Sequence, residues 1–206
     1  MKCSICNSES EIIFTKSNYD YYECSNCKSL FIPYGIDQSN MVGGGFELER
    51  NTQQNHERLQ RFIRYATIFG TILDYGCGNG MLVDYCNKRE QECDGYDKFN
   101  PKYDKIPNKK YNLVSMVEVI EHTFKPFSEI DEIYNLLLPN GILYIETSFV
   151  DIANEENILL NDFFYIEPKI GHCTIFSHKG LDILMESKGF KVLQPINRNV
   201  RIYQKI

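Results

Sequence analysis

Residues 72–80 read ILDYGCGNG, an apolar stretch that runs straight into a turn with glycine at alternate positions 76, 78 and 80. A parallel strand buried on both faces is built from an apolar run such as Thr71-Ile72-Leu73. A backbone that bends sharply and passes close against a ligand calls for residues without a Cβ, here Gly76, Gly78 and Gly80. The apolar Met81-Leu82-Val83 that follows opens a helix whose first amides face the same place. A glycine triplet also serves tight strand-to-helix turns for steric reasons alone, so the downstream residues decide.

Some twenty residues further on, roughly the distance at which a neighbouring parallel strand ends, comes CDGYD, Cys93 to Asp97. A carboxylate at that strand tip accepts both hydroxyls of a ribose. The glycine spacing is GxGxG rather than the GxGxxG that cradles a pyrophosphate, which argues for a nucleoside without a diphosphate. Then YNLVSMVEVIEH, Tyr111 to His122, is another apolar strand, ending in carboxylates and a histidine. Leu138-Pro139-Asn140-Gly141 reads as a turn into the strand Ile142 to Thr147.

This order of motifs resembles the class I S-adenosylmethionine-dependent methyltransferases. The branch is the one whose fourth strand ends in E-V-x-E-H and whose fifth follows L-x-P-x-G. The resemblance covers residues 45–206. It implies an α/β fold with a Rossmann-like class I methyltransferase sheet. By the same resemblance Asp74, Tyr75 and the backbone of Gly76, Cys77, Gly78, Asn79 and Gly80 hold the methionine part of S-adenosyl-L-methionine. Asp97, followed by Lys98, takes the ribose hydroxyls, and Met116, Val117 and Glu118 line the sulfonium. Only thirteen residues separate Asp97 from Tyr111, too few for the usual helix and third strand, so the sheet is expected to be short there. The acidic loop that contacts the adenine amine is then missing or replaced, with Asp104 the nearest substitute.

A sulfonium methyl is already a strong electrophile, so such an enzyme needs in-line positioning and a route for the acceptor's proton. The candidate catalytic residues are His122, Glu121 and His172. The spacing Glu118-x-x-Glu121-His122 places these groups at the carboxyl edge of the sheet, where ligands bind in open α/β folds. His122 reads as a general base, as a ligand of a divalent metal with Glu118, Glu121 and His172, or as a structural partner of the loop before Pro126. Glu118 alternatively caps the cofactor site. Similar ExxEH sets hold a metal in ubiquinone-pathway O-methyltransferases and, with a later histidine, in RNA 3′-terminal ribose methyltransferases. His56 and His178 read as surface residues, and Phe163, Phe164 and Tyr165 as a substrate-covering loop or as packing.

The eight cysteines include a patterned four, Cys3-x2-Cys6 and Cys24-x2-Cys27, separated by seventeen residues. Each CxxC turn aims two thiolates at one point, and two such knuckles give the sulfur tetrahedron zinc prefers. Glu11 to Phe14 and Tyr19 to Glu23 read as the hairpin of a zinc ribbon, with Leu30-Phe31 continuing after the second knuckle. So small a module folds on its metal, and the zinc is expected to be structural. Cys77, Cys86, Cys93 and Cys173 read as packing residues.

The expected organisation is a zinc ribbon at 1–33, a linker and N-terminal helix over the cofactor site at 34–70, and the methyltransferase core at 71–206. The linker carries the glycine run 43–45, and the helix, from Phe46 to Phe69, buries Leu59, Phe62, Ile63 and Ala66. The core alternates strands at 71–76, 93–97, 111–118 and 141–148 with helices at 80–90 and 126–138. An irregular insertion at 149–171 follows, then a helix capped by Ser177 and closing strands at 191–195 and 200–205. No run approaches eighteen apolar residues and the opening Met-Lys-Cys lacks a leader pattern, so a cytoplasmic protein without a membrane partner is expected.

A net charge of −6 disfavours extended nucleic acid as a partner. The leading expectation is methylation of a small hydroxylated or amino-bearing metabolite, first a sugar, nucleotide sugar or surface-glycan component, with the oxygen favoured. The alternatives are an RNA-modifying methyltransferase that grips RNA through its ribbon, and a non-catalytic partner-binding protein on the same fold. Lys2, Lys16 and Lys28 make too small a basic face for the first of these.

Overall fold

Two sheets organise the chain. The computed structural model describes residues 1–33, 48–65, 70–193 and 197–206. The N-terminal hairpin pairs β1 (Ser10–Lys16) antiparallel with β2 (Tyr19–Cys24), and β3 (Leu30–Phe31) adds to β2. Helix α1 (Leu48–Tyr65) buries Leu59 and Phe62, with Ile63 half-buried; Ala66 and the glycine run 43–45 lie outside the described residues. Then come β4 (Ile72–Tyr75), α2 (Met81–Asn87), β5 (Cys93–Tyr96), β6 (Tyr111–Val117), α3 (Pro126–Leu136) and β7 (Leu137–Glu146). Helix α4 (Val150–Glu155), β8 (Thr174–Ile175), α5 (His178–Ser187), β9 (Phe190–Val192) and β10 (Val200–Lys205) complete the described elements.

The main sheet has the order β5-β4-β6-β7-β10-β9. Its first four strands run parallel, and β10 and β9 close it antiparallel. Among the described residues no third strand flanks β5. Residues 97–103 are spent instead on turns, in which the Asp97 amide donates to Tyr103 O at 2.9 Å and the Tyr103 amide to Asn100 O at 2.8 Å. This is the Rossmann-like sheet that the resemblance implies, shortened at that edge as the spacing predicts. Leu73, Val114, Met116, Leu143 and Ile145 fill one face against α3 and α5, while Ile72, Leu113, Ile142 and Ile202 meet α1 and α2 on the other.

Several boundaries differ from the sequence reading. Leu138-Pro139-Asn140-Gly141 is not a turn before a strand but a bulge within β7. Leu137 faces Tyr111 and Ile142 faces Leu113, the intervening residues being absorbed with Asn140 at φ +61°. Helix α2 stops at Asn87, whose side chain both donates to Cys93 O at 2.7 Å and accepts from Cys93 N at 3.0 Å. The insertion at 149–171 is not wholly irregular: it holds α4 and two single 3₁₀ turns packed around the fully buried Phe163. Strand β8 was not foreseen at all, and it joins the N-terminal sheet rather than the main one, giving the order β1-β2-β3-β8. Its two residues are too few for periodicity to register. Ser177 caps α5 as expected, accepting from the Gly180 amide at 2.8 Å, and β9 is described as far as Val192.

Gly76 has φ +80°, and a Cβ there would lie 2.4 Å from a Val119 methyl. Gly76→Ala is therefore expected to lower stability by about 1–3 kcal/mol. The melting temperature should fall by roughly 3–10 °C, read by differential scanning calorimetry.

Candidate active site

Parallel strands in register bring their carboxyl ends to one edge, and the turn after β4 opens there. The amides of Gly76 and Cys77 both donate to Tyr96 O, at 2.7 and 3.0 Å, which pins the turn to β5. Asp97 holds it from the side: its Oδ2 accepts from Gly78 N and its Oδ1 from Phe99 N, each at 2.8 Å. Asn100 Nδ2 donates to Gly78 O at 2.7 Å. Each Asp97 oxygen keeps a lone pair for a further donor.

A cavity of about 970 Å³ spreads from this turn across the sheet edge. That volume holds a nucleoside-sized ligand with a small second one beside it. Asp74, Tyr75, Gly76, Cys77, Gly78, Asn79, Asp97, Lys98, Val117 and Glu118 all line it, together with His122 and His172. Gly80 does not; it faces the Tyr103 ring, where a Cβ would meet the hydroxyl. Tyr75 turns its own hydroxyl away to Glu132 at 2.8 Å. Asp104 is exposed and takes no part in the lining.

Asp74 is buried and accepts from Ser115 Oγ at 2.8 Å; burial pushes its carboxyl up to about 6 against that hydrogen bond. Burial likewise raises the Cys77 thiol, which leaves it an inert wall.

The second half of the cavity wall is built where β6 ends. Glu118 sits at φ +55°, a left-handed bend that turns the chain into a 3₁₀ turn over Ile120–His122. Glu121 is fully buried, with Oε2 accepting from Thr147 Oγ1 at 3.0 Å. The Tyr165 hydroxyl stands 2.6 Å from Glu121 Oε1 and 2.8 Å from Glu118 Oε2. One phenol has one hydrogen, so it donates to one of the two carboxyl groups and accepts from the other, which must then carry its own proton. Burial pushes Glu118 up to about 8, with the Glu121 charge adding to it, and burial lifts Glu121 to about 7.

The His122 and His172 rings meet edge to face at 4.8 Å. His122 Nε2 lies 3.8 Å from Glu121 Oε1. The His172 Nδ1–H donates to Tyr165 O at 2.6 Å, and the Gly171 carbonyl accepts from the His122 ring. Burial draws both imidazoles down to about 4, so they are neutral at pH 7. Glu121, His122 and His172 each offer a ligand atom within 4.8 Å of the others, and Glu118 stands outside that set. A carboxylate with two neutral imidazoles, one anchored to a backbone carbonyl through Nδ1, is a donor set that fits a divalent cation.

The four N-terminal thiols also gather within 4.8 Å of one another. Cys3 Sγ and Cys27 Sγ are 3.8 Å apart, and Cys6 Sγ and Cys24 Sγ 3.4 Å. A sulfur tetrahedron with bonds of about 2.3 Å has edges of about 3.8 Å, so the thiols stand close to zinc-site spacing.

The sequence reading missed Arg58. From α1 its guanidinium grips Glu146, at the end of β7, with Nη2 2.7 Å and Nε 3.2 Å from Oε1. Arg61 adds a contact to Tyr144 Oη at 3.1 Å. A helical arginine reads as solvated, but a strand-end glutamate beside a cofactor turn demands a cation, and that signal was available. Burial alone would raise Glu146; the Arg58 hydrogen bonds override it and hold the carboxyl below its usual range.

The family described as Methyltransferase domain matches residues 48–195. No curated protein matches the chain. Among solved structures, the 1,6-didemethyltoxoflavin-N1-methyltransferase of Burkholderia thailandensis, with bound S-adenosylhomocysteine, superposes with a TM-score of 0.61 at 12% identity, over 95% of this chain and 99% of that one. An amino pentose methyltransferase from Micromonospora echinaspora, bound to S-adenosylmethionine, gives 0.56 at 10% identity over 84% and 98%. DesVI of Streptomyces venezuelae gives 0.56 at 12% over 84% and 100%. At such identities these likenesses establish the fold.

Arg58→Ala leaves Glu146 buried with only the Tyr144 hydroxyl at 2.6 Å and the more distant Arg61 at 3.5 Å, and should cost about 3 kcal/mol. The depressed Glu146 contributes stability that is fully present above its unfolded pKa near 4.5 and is lost as pH falls through its lower folded pKa. Chemical denaturation from pH 7 to pH 3 should therefore show a shallower acid loss in the variant. With its glycine turn, its family match and its sheet, the chain belongs to the class I S-adenosylmethionine-dependent methyltransferases.

Proposed function

We propose that the chain transfers the methyl group of S-adenosylmethionine to a hydroxyl of a small acceptor, a sugar, nucleotide sugar or surface-glycan component. The observation that carries this reading is that His122 and His172 line the cavity that the glycine turn also lines, with the buried Glu121 clustered behind them. Two neutral imidazoles beside a buried carboxylate suit a group that must lose a proton as it is methylated, as a hydroxyl must. The likeness to an amino pentose methyltransferase supports a small sugar-like acceptor.

In this reading Asp74 and the backbone of the 76–79 turn cradle the methionine part, and Asp97 takes the ribose hydroxyls with its free lone pairs. Val117 and Glu118 stand beside the sulfonium. His122, whose side chain keeps 21% of its surface open, accepts the acceptor's proton, and Glu121 stabilises the resulting imidazolium at 3.8 Å. A divalent cation on Glu121, His122 and His172 would lower the hydroxyl pKa and hold the acceptor in place. His122→Ala should lower kcat roughly 10²–10⁴-fold with cofactor affinity nearly unchanged, measured on a panel of hydroxylated sugars and nucleotide sugars. Wild-type turnover in that variant from pH 6 to pH 9 would sink the proton-transfer role. Loss of turnover on chelation, with ribbon zinc retained, assigns the cluster to a cation.

The four thiols are proposed to hold one structural zinc, within a ribbon at 1–33 that precedes a linker and helix at 34–70 and the core at 71–206. Elemental analysis should find about one tightly held zinc per chain; metal-free protein with an ordered N-terminus would refute it. No described helix is long and apolar enough to cross a membrane.

A further inference from the structure

The segment 172–177 is gripped from two sides. On the core side, the Cys173 amide donates to Glu121 O at 2.9 Å and Thr174 Oγ1 donates to Thr123 O at 3.3 Å. These bonds tie the segment to the same 3₁₀ turn that carries Glu121 and His122. On the other side the segment belongs to the N-terminal sheet. Leu30 pairs with Ile175 and Phe31 with Thr174, and the Ile32 amide donates to Cys173 O at 2.8 Å. The Tyr21 hydroxyl, fully buried with its ring, donates to His172 O at 2.9 Å. Ser177 closes the seam: its amide donates to Ser29 Oγ at 3.0 Å and its hydroxyl donates to the carbonyl of Cys27. Cys27 is one of the four clustered thiols.

An unbroken path of buried contacts thus runs from the thiol cluster to the imidazole of His172. His172 itself has little else to fix its backbone. Its amide makes a long 3.4 Å bond to Glu167 O, and Gly171 before it sits at φ +88°. With Tyr21 absent, the His172 carbonyl is a buried acceptor without its donor, and the 172–173 peptide that carries it is held at its other edge by the Cys173 amide on Glu121 O. A tilt of that peptide would shift the ring about its one other anchor, the Nδ1 bond to Tyr165 O at 2.6 Å.

We propose that Tyr21 is a positioning residue for methyl transfer: by holding the His172 carbonyl it sets the His172 ring against His122 and Glu121. The N-terminal sheet thereby backs the acceptor side from behind His172, and a zinc on its four thiols would stabilise that support from outside the cavity. The inference rests on the acceptor-site reading above only for the purpose of His172; the positioning itself stands on the hydrogen bonds.

The test uses the full chain carrying Tyr21→Phe, which removes one hydroxyl and keeps the ring. Long-range proton–nitrogen spectra resolve the imidazoles of the four histidines, His56, His122, His172 and His178, and report each tautomer without any acceptor. The expected result is displaced His172 signals, with those of His122 following and those of His56 and His178 unchanged. Zinc should stay at about one per chain, and S-adenosylhomocysteine affinity by calorimetry within about twofold of wild type. His172 and His122 signals that coincide with wild type while the melting temperature falls would overturn the proposal and leave Tyr21 a packing residue. Should Tyr21→Phe fail to fold, Tyr21→Met, which removes the same hydroxyl and fills the site with a flexible apolar side chain, carries the same test on the same terms. If His172 moves and transfer to an identified acceptor is undiminished, the acceptor-site reading fails and the brace stands.

Discussion

Four neighbouring strands deliver a carboxylate each to one edge of the main sheet: Asp74 within β4, Asp97 after β5, Glu118 after β6 and Glu146 at the end of β7. Like charges brought together in a half-buried cleft repel, and each must be settled locally. Asp74 leans on Ser115, Asp97 on two backbone amides, Glu118 on Tyr165, and Glu146 on Arg58. The settlements draw in α1, the insertion and the post-β5 turns, so the elements around the sheet are placed by the need to answer these charges. An edge so rich in acids suits a ligand whose reactive centre is a sulfonium cation and which leaves as a neutral thioether.

The two halves of the cavity wall have different origins. The cofactor half is local: strand, turn and the next strand lie within thirty residues, and the hydrogen bonds of Gly76, Gly78 and Asp97 close it. The other half, the one proposed for the acceptor, is assembled from distant pieces. Glu121 and His122 come from a 3₁₀ turn, Tyr165 and His172 from the insertion, and the support behind His172 from the N-terminal sheet.

That division matches what was legible in the residues. The glycine turn, Asp97, the shortened third-strand region and the Cys3, Cys6, Cys24, Cys27 set announce themselves because short-range spacing carries them. Strand β10 matches its expected bounds because Val200 to Lys205 alternates and pairs cleanly with β7. By contrast, Arg58 against Glu146 spans 88 residues, and β8 is two residues whose strand character exists only because β3 lies beside them. Nor did composition reveal that Tyr165 bridges two carboxyl groups, since an aromatic in an insertion serves packing as readily.

The union of β3 with β8 also bears on how the chain comes to be folded. Ser29 and Ser177, which join the same seam, lie 148 residues apart. On a ribosome the thiol knuckles emerge well before the strand that completes their sheet, which is made about 140 residues later. Closing so long a loop is slow, and it comes after the local βαβ pairings of the cofactor half have formed. Early- and late-made segments thus meet beside His172, and a nascent chain completes the glycine turn before the support behind that histidine.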